Sequence, residues 1–164
     1  MADRVGGGLT PAFPINGIVV VGVCAAGKTT LFRELQGLGI PVRAVAQEHS
    51  LVRGLFRRHG RHPLVLLTAD WATVHRRRRL NWEPAFYRVE WLRLEEARSE
   101  ADLIVQTDYR TPCQVADVVC RWWDRRLGLD RLAADPATRV EVRRLAAWGV
   151  EWREFAARSR PPDE

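Results

Sequence analysis

The chain has 164 residues, of which 46% are hydrophobic and 28% charged, enough to bury one core in one domain without disulfide or metal staples. Its net charge of +6 points to an anionic partner such as a nucleotide, a nucleic acid or an acidic lipid. Nucleic acid is not favoured among these, because the arginines alternate with Glu and Asp along the helices, as solvated faces do. No apolar stretch approaches the ~20 residues that span a bilayer, which argues against a membrane protein. The three cysteines, Cys24, Cys113 and Cys120, fit no metal-binding spacing and leave an odd count, so a reducing, cytoplasmic setting is expected.

Residues 1–16 contain three consecutive glycines and two prolines, Pro11 and Pro14, and read as a mobile leader. A first strand is expected over residues 15–21, apolar throughout as in the centre of a parallel sheet covered on both faces. The same run leads straight into a glycine loop, which argues against a signal peptide. Gly22-Val23-Cys24-Ala25-Ala26-Gly27-Lys28-Thr29 then matches the phosphate-loop pattern GxxxxGK[ST], set between a strand and a helix as that pattern requires. Gly22 and Gly27 let the backbone wrap a phosphate, and the N–H groups of Cys24, Ala25, Ala26, Gly27, Lys28, Thr29 and Thr30 form the candidate cradle. In this pattern the lysine, here Lys28, reaches the outer phosphates and the hydroxyl, here Thr29, ligates Mg2+.

Of the 26 basic residues, Lys28 is the only lysine. A slim ammonium on a flexible stem fits beneath a phosphate where a planar guanidinium does not, so the one lysine stands where such chemistry calls for it. Cys24, inside the loop, is either a small filler or a thiol made acidic by the helix N-terminus.

The helix after the loop should run to about Gln36 and stop at Gly37 and Gly39. A second strand is expected over residues 41–48, with Gln47, Glu48, His49 and Ser50 at its carboxyl end, where open α/β sheets carry their ligands. A short basic segment, residues 51–62, carries Arg53, Arg57, Arg58 and Arg61, and its helical part should end near Gly60. The third strand covers residues 63–68, and Asp70 is placed to cap a helix over residues 71–80 that bears the run His75-Arg76-Arg77-Arg78-Arg79. A helix over residues 83–100 has Pro84 in its first turn and an apolar stripe of Tyr87, Trp91, Leu94 and Ala97 or Arg98.

Residues 102–108 form the fourth strand, and Thr111 with Gln114 is a capping box opening a helix that turns Val115, Val118, Val119 and Trp122 inward and ends before Gly128. A last helix begins at Asp135-Pro136 and runs to about Arg158, with a seam of Leu145, Trp148, Trp152 and Phe155 that packs either on the parent domain or on a second copy of the chain. Helices separate every pair of strands, so a four-stranded parallel sheet with right-handed crossovers is expected. The chain thus divides into a leader (1–16), a nucleotide-binding domain (17–128) and a C-terminal helical extension (129–164).

From the loop at Gly22–Thr29, the Arg-rich helix and the segment Ala101-Asp102-Leu103-Ile104-Val105-Gln106-Thr107-Asp108 before a capped helix, residues 17–126 resemble the P-loop kinases, the group of nucleoside monophosphate kinases, shikimate kinase and dephospho-coenzyme A kinase. The resemblance implies a three-layer P-loop NTPase fold that binds ATP with Mg2+ and passes the γ-phosphoryl group to a small hydroxyl or phosphate acceptor. It also implies that the Arg-rich helix opens a lid whose arginines clamp the transferring group, with Arg76 and Arg79 on one helical face, and that Arg110 and Pro112 border the base. The bland alternative for the arginine run is a solvated basic face.

The chain departs from that family between the second and third strands, where residues 48–62 leave room for only an abbreviated acceptor region. Glu48 is the first choice for the carboxylate on the Mg2+ side or the base, with Asp70 the competitor, and His49 either orients an acceptor or is an ordinary loop histidine. Two other functions stay open: a nucleotide-binding partner module without turnover, and a nucleic-acid-stimulated ATPase or end-kinase.

Overall fold

The computed structural model describes residues 17–58, 60–78, 83–129 and 135–147. Its elements, in chain order, are β1 (Ile18–Gly22), α1 (Lys28–Gly37), β2 (Val42–Ala44), β3 (Leu64–Thr68), α2 (Trp71–Arg78), α3 (Pro84–Glu100), β4 (Leu103–Gln106), α4 (Pro112–Leu127) and α5 (Pro136–Ala147). The strands form one sheet in the order β2-β1-β3-β4, and every neighbouring pair is parallel. The expected α/β class and the four-stranded parallel sheet flanked by helices are therefore present.

Burial explains the order. All five residues of β1 and the first four of β3 are buried, as strands covered on both faces must be. The edge strands are more polar: Arg43 interrupts β2, and β4 alternates between buried Val105 and exposed Ile104 and Gln106. Helix α3 packs on β1 and β3, while α1 packs against α4.

Two strands are shorter than expected. The β2 ladder closes with the Val45 N–H donating to the Val20 carbonyl at 2.9 Å. The chain then makes a single 3-10 turn, Gln47–His49, because the buried Gln47 amide donates to the Val52 carbonyl and Glu48 meets an ammonium, partners that a strand would deny them. In the same way Asp102 leaves β4 and its Oδ2 accepts the Leu64 N–H at 2.8 Å. Among its described residues, the basic segment after residue 50 holds only one further 3-10 turn, Leu55–Arg57.

The expected helix starts form as their caps dictate. Asp70 Oδ1 accepts the Thr73 N–H at 2.7 Å, and Thr111 and Gln114 make the reciprocal capping box. Along α4, Val115, Val119 and Trp123 are buried, whereas Trp122, expected to point inward, is only half-buried. No helix among the described residues is long and apolar enough to cross a membrane.

The last helix is described as far as Ala147. Val142, Arg143 and Ala146 are buried and Leu145 only half so, while Trp148, Trp152 and Phe155 lie outside the described residues. Arg143 makes a fork-to-fork pair with Asp124 of α4, both bonds at 2.8 Å, and its third nitrogen donates to the Leu38 carbonyl at 3.2 Å. A buried ion pair therefore ties α5 to α4 and to the end of α1. Replacing Asp124 with Ala leaves the Arg143 guanidinium buried without its counter-charge, and should cost about 3 kcal/mol in urea unfolding. A loss below about 1 kcal/mol would mean that α5 contributes little to the fold.

Candidate functional site

The carboxyl ends of β1 and β2, the loop after β1 and the starts of α1 and α4 converge on one cleft. It encloses about 670 Å3 and is lined by residues 24–30 and 44–46, by Glu48, and by Arg77, Arg78, Thr107, Arg110, Pro112 and Val115. The structure thus brings together Cys24, Ala25, Ala26, Gly27, Lys28, Thr29, Thr30, Glu48, Arg110 and Pro112 from distant parts of the chain.

Two glycines give the loop its path. A Cβ on Gly22 would stand 2.5 Å from the Leu67 carbonyl oxygen, so only glycine lets β1 leave the sheet this close to β3. Gly27 has φ +100° and turns the chain into α1 in a conformation that L side chains rarely adopt. Between them Ala25 takes φ 60°, the sole positive value on a non-glycine among the described residues. This curl leaves the first turn of α1 without a side-chain cap and with its positive dipole end facing the cleft.

Lys28 sits at that turn and folds back beneath the loop. Its Nζ donates to the Gly22 carbonyl at 2.8 Å and the Val23 carbonyl at 3.0 Å, and pairs with Glu48 Oε1 at 2.6 Å. Glu48 is buried, its carbonyl accepts from Arg93 Nη1 at 3.1 Å, and its Oε2 is buried with no hydrogen-bond partner. Asp70 plays no such part: its carboxylate caps α2, and it does not line the cleft.

The arginines differ from expectation. Arg76, expected with Arg79 to stabilise the transferring group, is exposed, hydrogen-bonds back to Thr73 Oγ1 at 3.4 Å and does not line the cleft. Arg79 lies outside the described residues. Instead Arg77 donates to the Ala25 carbonyl at 3.1 Å and to the Thr107 hydroxyl and carbonyl at 3.0 and 2.8 Å, and Arg78 Nη1 approaches Cys24 Sγ at 2.6 Å. The reason is helical phase. The Asp70 cap buries Thr73 and Val74, and one turn later the same faces carry Arg77 and Arg78.

Sequence reasoning also missed Glu90. It is buried in the middle of α3, its Oε2 accepts the Cys24 N–H at 3.0 Å, and its Oε1 lies 3.7 Å from His49 Nδ1. The signal was available: Glu90 falls in phase with Tyr87, Leu94 and Ala97, a carboxylate on an otherwise apolar stripe. Burial pushes the Glu90 carboxyl up from its ordinary 4.5, against the opposing pull of the Cys24 N–H and His49. Burial likewise pushes the Cys24 thiol up, outweighing Arg78, so the loop cysteine is not the acidic thiol that a helix N-terminus alone would make.

No model of a known protein family matches the chain, and no curated protein matches it in sequence. The site therefore rests on its own chemistry: cationic Lys28, Arg77, Arg78 and Arg110 with loop N–H groups, set against the carboxylates Glu48 and Glu90.

A carboxyl whose pKa is raised in the fold favours the folded state while protonated. Its contribution is complete below the ordinary 4.5 and is lost as pH rises through the raised value. Glu90→Gln should therefore abolish a decline in melting temperature between pH 4.5 and neutrality that the unsubstituted protein shows. Parallel melting curves for the two proteins across that range would refute it.

Proposed function

We propose that the loop after β1 is a P-loop and that the chain binds ATP with Mg2+ and transfers its γ-phosphoryl group to a small hydroxyl or phosphate acceptor. One observation carries the reading: the only lysine of the chain lies beneath a left-handed glycine loop at a helix start, in a cleft that also gathers three arginines and a buried carboxylate. Backbone N–H groups, a helix dipole and four cations converging on one space suit a polyphosphate better than any neutral ligand.

In this reading Lys28 leaves the carbonyls of Gly22 and Val23 and holds the outer phosphates, while Arg77 and Arg78 face the oxygens on which charge gathers during transfer. Arg110 and Pro112 border the base. The donors suit Mg2+: the Thr29 hydroxyl is exposed in the first turn of α1, and the orphaned Glu48 Oε2 is a hard oxygen whose lone pairs accept no hydrogen bond. That ion would neutralise the β- and γ-phosphates. Glu48 would hold its water or take the acceptor proton.

A second reading, a nucleotide-gated partner module without turnover, is favoured by the brevity of residues 48–62, whose described residues hold only two short 3-10 turns, Gln47–His49 at the start and Leu55–Arg57, where an acceptor-binding region would be. The deciding experiment is ADP release from Mg·ATP with a panel of nucleosides, nucleoside monophosphates, small hydroxy acids and oligonucleotides. A kinase shows stimulation by one acceptor class, reduced about 100-fold or more in Lys28→Ala. Tight ATP binding with flat turnover across the panel selects the partner module, and stimulation by oligonucleotides alone selects a nucleic-acid-dependent enzyme.

A further inference from the structure

Cys24, His49 and Glu90 come from three separate parts of the chain: the glycine loop, the 3-10 turn after β2 and the middle of α3. Their candidate donor atoms nevertheless all lie within 4.8 Å of one another. Cys24 and Glu90 are buried and His49 is half-exposed, so the cluster is walled on two sides and open on the third.

Glu90 Oε1 is the second observation. It is fully buried and makes no hydrogen bond, since His49 Nδ1 at 3.7 Å is beyond hydrogen-bond range. Its sister oxygen is already satisfied by the Cys24 N–H. Nor does Lys28 supply the missing partner, because its ammonium is taken by Glu48 and two carbonyls. A buried carboxylate oxygen beside a thiol and an imidazole is a donor set short of one cation.

We propose that Cys24 Sγ, a ring nitrogen of His49 and Glu90 Oε1 bind one thiophilic divalent cation, Zn2+ being the ion this sulfur, nitrogen and oxygen set suits. Mg2+ and Ca2+ take oxygen ligands and have no use for the thiol or the imidazole. In a tetrahedral zinc site, with bonds of about 2.0–2.3 Å, the donors stand about 3.4–3.7 Å apart, so the cluster closes by about 1 Å. The half-exposed His49 ring supplies that movement. Three protein ligands leave a fourth position for water.

On binding, the thiol proton, any imidazolium proton and any proton on the Glu90 carboxyl pass to solvent, and Arg78 Nη1 becomes a donor to the bound thiolate. Burial holds both Cys24 and Glu90 toward their protonated forms, and a dication reverses that bias. The ion ties the glycine loop to α3 and to the turn that carries Glu48. The site does not rest on the nucleotide reading.

The test is titration of the nucleotide-free full chain with Co2+, followed by displacement with Zn2+. The expected result is one equivalent bound, with thiolate-to-cobalt absorption in the near ultraviolet and the strong visible bands of a four-coordinate ion. Cys24→Ser should abolish the near-ultraviolet band, Cys113→Ser should leave it intact, and His49→Ala should weaken binding about tenfold or more. No near-ultraviolet band in the unsubstituted protein overturns the proposal, as does a band that survives Cys24→Ser. If Cys24→Ser fails to fold, His49→Ala decides: an unchanged affinity overturns the site.

Discussion

The position of one ammonium organises this molecule. Lys28 Nζ lies within hydrogen-bond distance of the Gly22 and Val23 carbonyls and of Glu48, so a single cation closes the loop upon itself and joins it to the end of the neighbouring strand. That arrangement needs β2 beside β1, which the parallel register of Val20 with Ala44 provides. It also needs Glu48 off the ladder, which the 3-10 turn provides. Without the carboxylate a buried carbonyl pair would face a lone ammonium. Without the ammonium Glu48 would be an uncompensated charge in the core.

Around that pair the loop is held from outside. Glu90 of α3 accepts one of its N–H groups, Arg77 of α2 donates to one of its carbonyls, and Arg78 reaches its thiol. The contacts come from two helices, so the curl of the loop is set by the packing of α2 and α3 as much as by its glycines. A phosphate would take over the N–H groups and the ammonium together. The protein's own carbonyls and carboxylates therefore stand where the proposed nucleotide would have to compete.

Hard and soft donors are kept apart within a few ångströms. On one side Glu48 and the Thr29 hydroxyl offer oxygen alone; on the other Cys24, His49 and Glu90 offer sulfur, nitrogen and oxygen. The proposed Mg2+ and the proposed thiophilic ion thus draw on separate ligand sets. His49, adjacent to Glu48 in the chain and 3.7 Å from a carboxylate oxygen of both Glu48 and Glu90, is the hinge between them.

Local order was legible in the chain itself. The apolar run of β1, the glycine loop, the Asp70 and Thr111 caps and the existence of the four strands follow from short-range sterics, hydrogen bonding and periodicity, which neighbouring residues decide among themselves, whereas 3-10 turns stand in place of the expected helix between β2 and β3. Glu48 as the loop's carboxylate was legible as well, since a polar group at a strand end has one place to go in a parallel sheet. The tertiary structure alone decided which arginines face the cleft, because a shift of one residue turns a helical side chain by about 100° and only the burial of Thr73 and Val74 sets the phase. It alone brought Glu90 and His49 to Cys24 and paired Arg143 of α5 with Asp124 of α4. Those pairings join residues dozens of positions apart, and a charged side chain on an apolar stripe reveals its partner only once the helix that carries it has docked.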